Sequence, residues 1–420
     1  MSPATRLVEA VTCLGCGCAC DDIGVTVEGS RIVSTARACK LGEQWFGDGS
    51  ATDGARVGGK TVERAAALAE AGRRLGAAAG RGRAMIYLAA ELNTDSQRAA
   101  VALADRLGAR IDSLSSDTVA SGILAAQRRG RVGATLGELR HRADVVMYWG
   151  VDPAERYPRF AERCLPEATG LEVPRGRADR YLIAVDIGGS RGPADADARL
   201  VLSAAEELPA LSVMRAAVGG RAPAGLEGSL EAAAAIAKRL TTARYCAVIY
   251  DAEPGPSPGD PNRAEGLIAL AQGLNTPTRA AVCALRAGGN RMGAEQVLTW
   301  QTGYPIAVDF SGGAPSYQPG RSTAALLAAG AIDSVLVVGD YRSLPAAVAS
   351  QLKSGETIVI GPGATGAAPG DAIAIDAARA GIHEGGTAFR LDDVPLPLTA
   401  VLPGAATVSA LLAALGPGAR

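Results

Sequence analysis

"TCLGCGCACDDIGVTVEGSRIVS" (Thr12–Ser34) crowds four of the chain's eight cysteines into eight consecutive residues and then changes character. Its second half alternates apolar and polar residues on either side of Glu28–Gly29–Ser30. That period of two, broken by a Gly-centred turn, predicts a β-hairpin. Cys39 follows the hairpin and is carried back toward Cys13, Cys16 and Cys20. Three thiolates from a short loop and one from a distant turn can surround a cubane [4Fe–4S] cluster, one sulfur to each iron. Zinc held by four thiolates is the rival reading, and thiols without any ligand a third. Cys18 lies between candidate ligands and is spare. Gly15, Gly17 and Ala19 keep the loop small enough for backbone N–H groups to approach sulfur.

Beyond this stretch, helical periodicity and buried strands take turns. "TVERAAALAEAGRRLGAAAG" predicts a helix with Thr61 as N-cap, and "DSQRAAVALADRLGA" a second with Asp95 as N-cap. "RAMIYLAAEL", "ADVVMYWGVDP", "RYLIAVDIGGS", "ARLVLS", "RYCAVIYD", "RAAVCALR", "YPIAVDF", "DSVLVVGD" and "ETIVIGPG" read as buried strands. Strands alternating with helices imply parallel sheets covered on both faces, and these are too many for one doubly wound sheet. Two α/β domains are expected. Several strands run into Gly and Asp ("WGVDP", "VDIGG", "VVGDY"), as ordinary turns do and as ligand-binding loops beyond strand carboxyl ends also do. Ala222–Leu226 and Glu253–Asn262 read as surface loops.

Composition narrows the chemistry. The net charge of the 420 residues is −1 with basic and acidic residues interleaved, which gives no electrostatic reason to expect nucleic acid or a membrane surface. No apolar run is long enough to span a bilayer and no secretory signal opens the chain, so the expected location is the cytoplasm. A reducing compartment argues against structural disulfides, and Cys246 and Cys283, in strand-like runs, read as core thiols. Only His141 and His383 are present, too few for a His-rich metal site, and each reads as structural. Phosphate-loop, dinucleotide-loop and serine-elbow patterns are missing.

"CLGCGCACDDIGVTVEGSRIV…ACKLG", "ATLGELRHRADVVMYWGVDPAERYPRF" (Ala134–Phe160), "LRAGGNRMGAEQVLTWQTGYPIAVDFSGGAPSYQPG" (Leu285–Gly320) and "HEGGTAFRLDDVPLPL" (His383–Leu398) together resemble the B subunit of formylmethanofuran dehydrogenase, within the molybdopterin oxidoreductases. The resemblance recurs along nearly the whole chain. It implies a molybdopterin-oxidoreductase-like α/β fold: a small N-terminal β-rich Cys domain (1–50) and two parallel-sheet α/β domains, one (136–299) inserted in the other (51–135 plus 300–420). It also implies a tungsten or molybdenum ion held by pterin dithiolenes and a protein Cys, assisted by a His and a distant Arg. Under it, Cys13, Cys16, Cys20 and Cys39 are the cluster ligands. Arg286, Asp186 and Trp300 are candidates for a vestigial pterin cleft, with Gln301, Tyr304 and Asp309 matching neighbouring motifs.

The sequence then departs from the family. In "SSDTVASGILAAQRRGRVGATLGE" (Ser115–Glu138), Gly122 and Ile123 stand near where the metal-ligand Cys and its His are expected, and no Cys occurs between Cys39 and Cys164. Neither Gly nor Ile replaces a soft thiolate. Arg286 matches the family's Arg, but the "AGGN" after it lacks the usual His. This pattern resembles the B subunit of the bacterial formyltransferase/hydrolase complex of methylotrophs. The resemblance implies partners: a zinc amidohydrolase-like subunit, a formyltransferase subunit and the C subunit, which together carry a formyl group from tetrahydromethanopterin to a methanofuran-like carrier, methylofuran, and release formate. The expectation is a non-redox scaffold subunit without a catalytic residue of its own. The cluster is then a structural staple or absent, no tungsten- or molybdenum-pterin is bound, and partner subunits carry methylofuran. An active dehydrogenase subunit using a ligand such as Ser121, and an iron–sulfur electron carrier, are the alternatives.

Overall fold

The structure is a computed structural model that describes residues 5–154, 156–253 and 260–415. By internal contacts the chain divides into two compact units, one of residues 1–120 with 288–420 and one of residues 121–287.

In the first unit the expected hairpin forms: Ile23–Glu28 and Arg31–Ala36 pair antiparallel, with Glu28 opposite Arg31 and Gly29 at φ 61°. Thr5–Val11 adds a third antiparallel strand. The buried face of this small sheet, Ile23, Val25, Val27 and Ile32, shares a core with Trp45, Phe46, Leu398 and Leu402. The main sheet of the unit has a parallel centre in the order Arg110–Ser113, Ala84–Leu88, Ser334–Val338, Thr357–Gly361, Ile373–Asp376. Short antiparallel strands border it: Val308–Asp309 beside Arg110–Ser113, and Ala55–Val57 beside Ile373–Asp376. "YPIAVDF" thus supplies only a two-residue strand rather than a full one. Ala84–Leu88, Ser334–Val338 and Thr357–Gly361 are buried at every position, as a parallel strand covered on both faces must be.

The two helix starts differ from expectation for local reasons. Lys60–Thr61 pairs with Ala55–Val57, and Val62 N–H bonds Ala55 O, so Thr61 is held extended and the helix begins at Arg64 after Glu63. In the second helix, Thr94–Leu107, Asn93 is the N-cap and accepts from Ser96 N–H at 2.8 Å; Asp95 sits in the first turn, where its charge suits the helix dipole.

The second unit has one parallel sheet among the described residues, ordered Ala198–Leu202, Tyr181–Ile187, Val145–Trp149, Cys246–Asp251, Ala280–Leu285. The helices Glu207–Val218, Gly228–Leu240 and Arg263–Leu274 pack into its core through Leu211, Met214, Ala237, Leu267 and Leu270. Cys246 and Cys283 are core thiols. The Ala222–Leu226 stretch is irregular; of the loop expected over Glu253–Asn262, residues 254–259 lie outside the described residues.

One buried cation ties together the loops beside the start of the Tyr181–Ile187 strand. Arg180 is 4% exposed and donates to four backbone carbonyls: Ala143 (3.1 Å), Pro166 (2.6 Å), Ala168 (2.6 Å) and Arg140 (2.7 Å). Only a planar guanidinium presents donors in that spread. Arg180→Leu leaves four backbone acceptors unpaired, two of them buried, and is expected to destabilise the protein by about 3 kcal/mol, and Arg180→Lys to recover less than half of that. Urea unfolding of both variants checks this, and equal stability of Arg180→Lys and wild type would contradict it.

Candidate functional site

The Cys loop is a tight turn. Cys13 N–H bonds Cys20 O at 2.8 Å, Ala19 N–H bonds Cys16 O at 3.2 Å, and Ala19 takes φ 39°. Backbone donors face sulfur: Gly15 N–H reaches Cys13 Sγ at 3.3 Å, and the N–H groups of Cys18 and Ala19 reach Cys16. Cys39 heads the helix Lys40–Phe46. The fields of Cys16, Cys20 and Cys39 all act on Cys13, so the hairpin does return Cys39 to the loop. Burial pushes the Cys13 thiol well up, whereas hydrogen bonding from Cys18, side chain and backbone, lowers Cys16. The space at Cys13 is closed: a Cβ on Gly15 would stand 2.8 Å from Leu41 O, and one on Gly42 would stand 3.3 Å from Cys13 Sγ.

Soft sulfur with N–H donors turned onto it is the right chemistry for an iron–sulfur or zinc group. Yet among the described residues no three His, Cys, Asp or Glu side chains are grouped in a metal-binding arrangement. The four thiols are neighbours, and the loop alone supports no assembled cluster.

The loop is anchored from far along the chain. A Cβ on Gly289 would lie 2.5 Å from both Cβ and O of Leu14, so no side chain fits at 289. Beside it, Asn290 (φ 55°) donates through Nδ2 to Leu92 O, accepts at Oδ1 from Phe389 N–H (2.6 Å) and through its carbonyl from Gln97 Nε2 (3.0 Å). The "AGGN" motif is therefore a packing knot.

The metal-loop departure also has a physical form. Ala120–Arg129 is a helix; Ile123 is buried in it, Ser121 is exposed, and a Cβ on Gly122 would face Tyr250 Oη at 3.4 Å. No soft ligand stands at these positions.

Within the second unit, two of the cleft candidates stand apart. Asp186 and Arg286 lie at the ends of Tyr181–Ile187 and Ala280–Leu285, three strand spacings or about 14 Å apart across the sheet. Asp186 is committed to its own loop, accepting from Gly192 N–H (2.9 Å) and pairing with Arg199 (2.7 Å). Trp300 belongs to the other unit, is 58% exposed and meets Phe389 edge-on at 5.6 Å. Tyr304 stacks on Tyr317 and Asp309 pairs with Arg110 at 3.0 Å; both roles are structural. His383 is structural too: Nδ1 accepts from Arg379 N–H (3.2 Å), so Nε2 donates to Gly49 O (2.8 Å).

Sequence reasoning reached only the rim of one further place. In the first unit the strand order reverses between Ala84–Leu88 and Ser334–Val338, and beyond their carboxyl ends an open crevice of about 280 Å³ is lined by Glu91, Asp340, Arg379 and Glu384. This is where open α/β sheets bind ligands, and the "VVGDY" loop forms one wall. Arg342 grips Asp340 with both ends of its guanidinium (2.9 and 2.8 Å). Acidic and basic groups nearly balance, so the crevice offers a phosphate-bearing pterin dinucleotide no net positive field. In the second unit, Gly122 and Ile123 supply no soft ligand for a tungsten or molybdenum ion.

The chain is 31% identical over 417 residues to the B subunit of the tungsten-containing formylmethanofuran dehydrogenase 2 of Methanocaldococcus jannaschii, the alignment spanning 94% of each chain. It belongs to the family of formylmethanofuran dehydrogenase B subunits. The corresponding protein of Methanococcus maripaludis is 29% identical over 415 residues, again with 94% of each chain covered. The B subunit of the formyltransferase/hydrolase complex of Methylorubrum extorquens is 31% identical over 253 residues, 59% of this chain and 64% of that one. In structure, the chain matches one from the crystal structure of that organism's complex with methylofuran at a TM-score of 0.72 and 28% identity, covering 86% of this chain and 97% of the other. No family model matches the chain. Among the described residues no helix is long and apolar enough to cross a membrane.

Glu384 and Glu91 both line this family member's crevice with carboxyls raised to about 7, and Glu91 also carries a strained backbone. At Glu91, burial first, then Asp340, push the carboxyl up to about 7 against Arg379 and Arg342, and the backbone is left-handed at φ 65°. A carboxyl raised in the folded state favours folding below its unfolded value near 4.5, and that contribution is lost as pH rises through about 7. Glu91→Gln is therefore expected to gain on the order of 2 kcal/mol relative to wild type at pH 8 and almost nothing at pH 4.5. Urea unfolding at the two pH values decides it; an equal effect at both would be contrary.

Proposed function

We propose that this chain is a non-redox scaffold subunit of a formyltransferase/hydrolase complex that converts formyl-tetrahydromethanopterin to formate through a methanofuran-like carrier. The observation that carries the reading is the Ala120–Arg129 helix, which has neither Cys nor His where the resemblance expects the metal's Cys and its neighbour near Gly122 and Ile123, and in which a Cβ on Gly122 would face Tyr250 Oη at 3.4 Å. A tungsten centre at this place would lack a thiolate and need another ligand such as Ser121, whereas formyl transfer and hydrolysis need no redox step.

On this reading the chain keeps the molybdopterin-oxidoreductase-like architecture, with residues 1–50 as the Cys domain and one α/β domain inserted in the other. It holds a zinc amidohydrolase-like subunit, a formyltransferase subunit and the C subunit in register. The physical gain is effective concentration: a tethered formyl carrier meets the second active site without diffusing away. Methylofuran is carried by those partners. Cys13, Cys16, Cys20 and Cys39 are the proposed ligands of any cluster the chain takes up, which would act as a staple because metal-binding energy is folding energy. The match to the methylofuran-bound complex supports the reading. The tungsten-containing relatives, aligned over 94% of the chain, favour an active dehydrogenase subunit instead.

Affinity purification of the tagged chain from its own cells, with mass spectrometry and metal analysis, separates the two. The scaffold reading expects stable hydrolase and transferase partners and no tungsten or molybdenum above trace. Either metal at one per chain, with extractable pterin, would overturn it.

A further inference from the structure

A two-stranded hairpin covers the Cys loop. Gly386–Phe389 pairs antiparallel with Pro395–Leu398, and among the described residues the two strands join no larger sheet. Pro395 and Pro397 carry no N–H, which keeps the second strand at an edge. The inner side chains Ala388, Leu396 and Leu398 share a buried core with Cys13, Leu14 and Cys20. An isolated hairpin is marginal by itself, so its position depends on what ties it down. Two ties run to the loop: Leu391 N–H bonds Gly17 O at 3.0 Å, and Thr12 Oγ1 donates to Pro397 O at 2.8 Å. Three run to the rest of the unit: Phe389 N–H bonds Asn290 Oδ1 (2.6 Å), Asn93 Nδ2 donates to Gly385 O (2.8 Å), and Thr94 Oγ1 donates to Thr387 O (2.8 Å). At the start of the hairpin Gly386 takes φ 128°, a backbone angle that favours glycine.

We propose that residues 386–398 form a lid on the Cys loop, hinged at Gly385 and Gly386 and latched by Asn290, and that lid and loop open together as one unit. Asn290 suits a latch: its side chain joins the first lid strand to Leu92 O, while Gly289 beside it abuts Leu14 of the loop. Releasing it loosens lid and loop at once, whereas the parallel strands of the main sheet keep every bond. Opening uncovers a loop in which Cys13 and Cys20 are each 7% exposed. Local openings of this kind cost less than global unfolding, and segments that move in function are drawn from them. This holds whether the protein is a scaffold or a dehydrogenase.

Amide hydrogen exchange of the full-length chain at one fixed pH, followed by mass spectrometry, tests it. In the wild type, peptides holding Leu391 and peptides holding Cys13 and Ala19 are expected to show matching protection and to exchange well before Ala84–Leu88, Ser334–Val338 and Thr357–Gly361. Asn290→Gly permits the same left-handed backbone (φ 55°) and deletes both side-chain bonds. It is expected to speed exchange of lid and loop alike by about tenfold or more and to leave those central strands unchanged. Thr12→Val, which removes the bond to Pro397 O, is expected to speed the same peptides by roughly threefold. Lid protection equal to that of the central strands, or a lid that speeds up in Asn290→Gly while the loop does not, would overturn the proposal.

Discussion

A parallel strand buried on both faces leaves its backbone no water to bond, so every N–H and C=O must find a neighbouring strand and every side chain an apolar layer. Ala84–Leu88, Ser334–Val338 and Thr357–Gly361 meet that demand in one unit, and Val145–Trp149 and Cys246–Asp251 in the other. Polar chemistry is thereby pushed to the carboxyl ends of the strands. The Glu91 crevice and the Asp186 loop lie at the carboxyl ends of strands.

What those edges do with their charge is mostly structural. Asp186 answers Arg199, Asp340 answers Arg342, and Asp309 answers Arg110. Within the crevice Glu91 alone combines a left-handed backbone with a strongly raised carboxyl, and such strain persists only where the surroundings enforce it. The Gly289 carbonyl accepts the Glu91 N–H at 2.8 Å, and the same glycine abuts Leu14. The Cys loop and the crevice thus share one backbone wall.

The strands were legible in the sequence because continuous apolar runs between Gly and Asp leave little else possible. So was the hairpin, whose period of two fixes its register around Gly29. The helix starts at Thr61 and Asp95 were misplaced because the deciding partners, Ala55 O and Ser96 N–H, are a strand pairing and a capping geometry that no periodicity encodes. In the site, the return of Cys39 to the loop could be read from the hairpin. The separation of Asp186 and Arg286 could not, since motif likeness carries no distances.

The wedge of Leu14 on Gly289 joins two places far apart in the order of synthesis. At about 5–20 residues per second, the thiol loop leaves the ribosome roughly 15–55 seconds before the glycine that will hold it. During that interval the cysteine-rich terminus has its hairpin but lacks its wall, and the nascent chain offers its thiols to whatever metal or oxidant the surroundings supply.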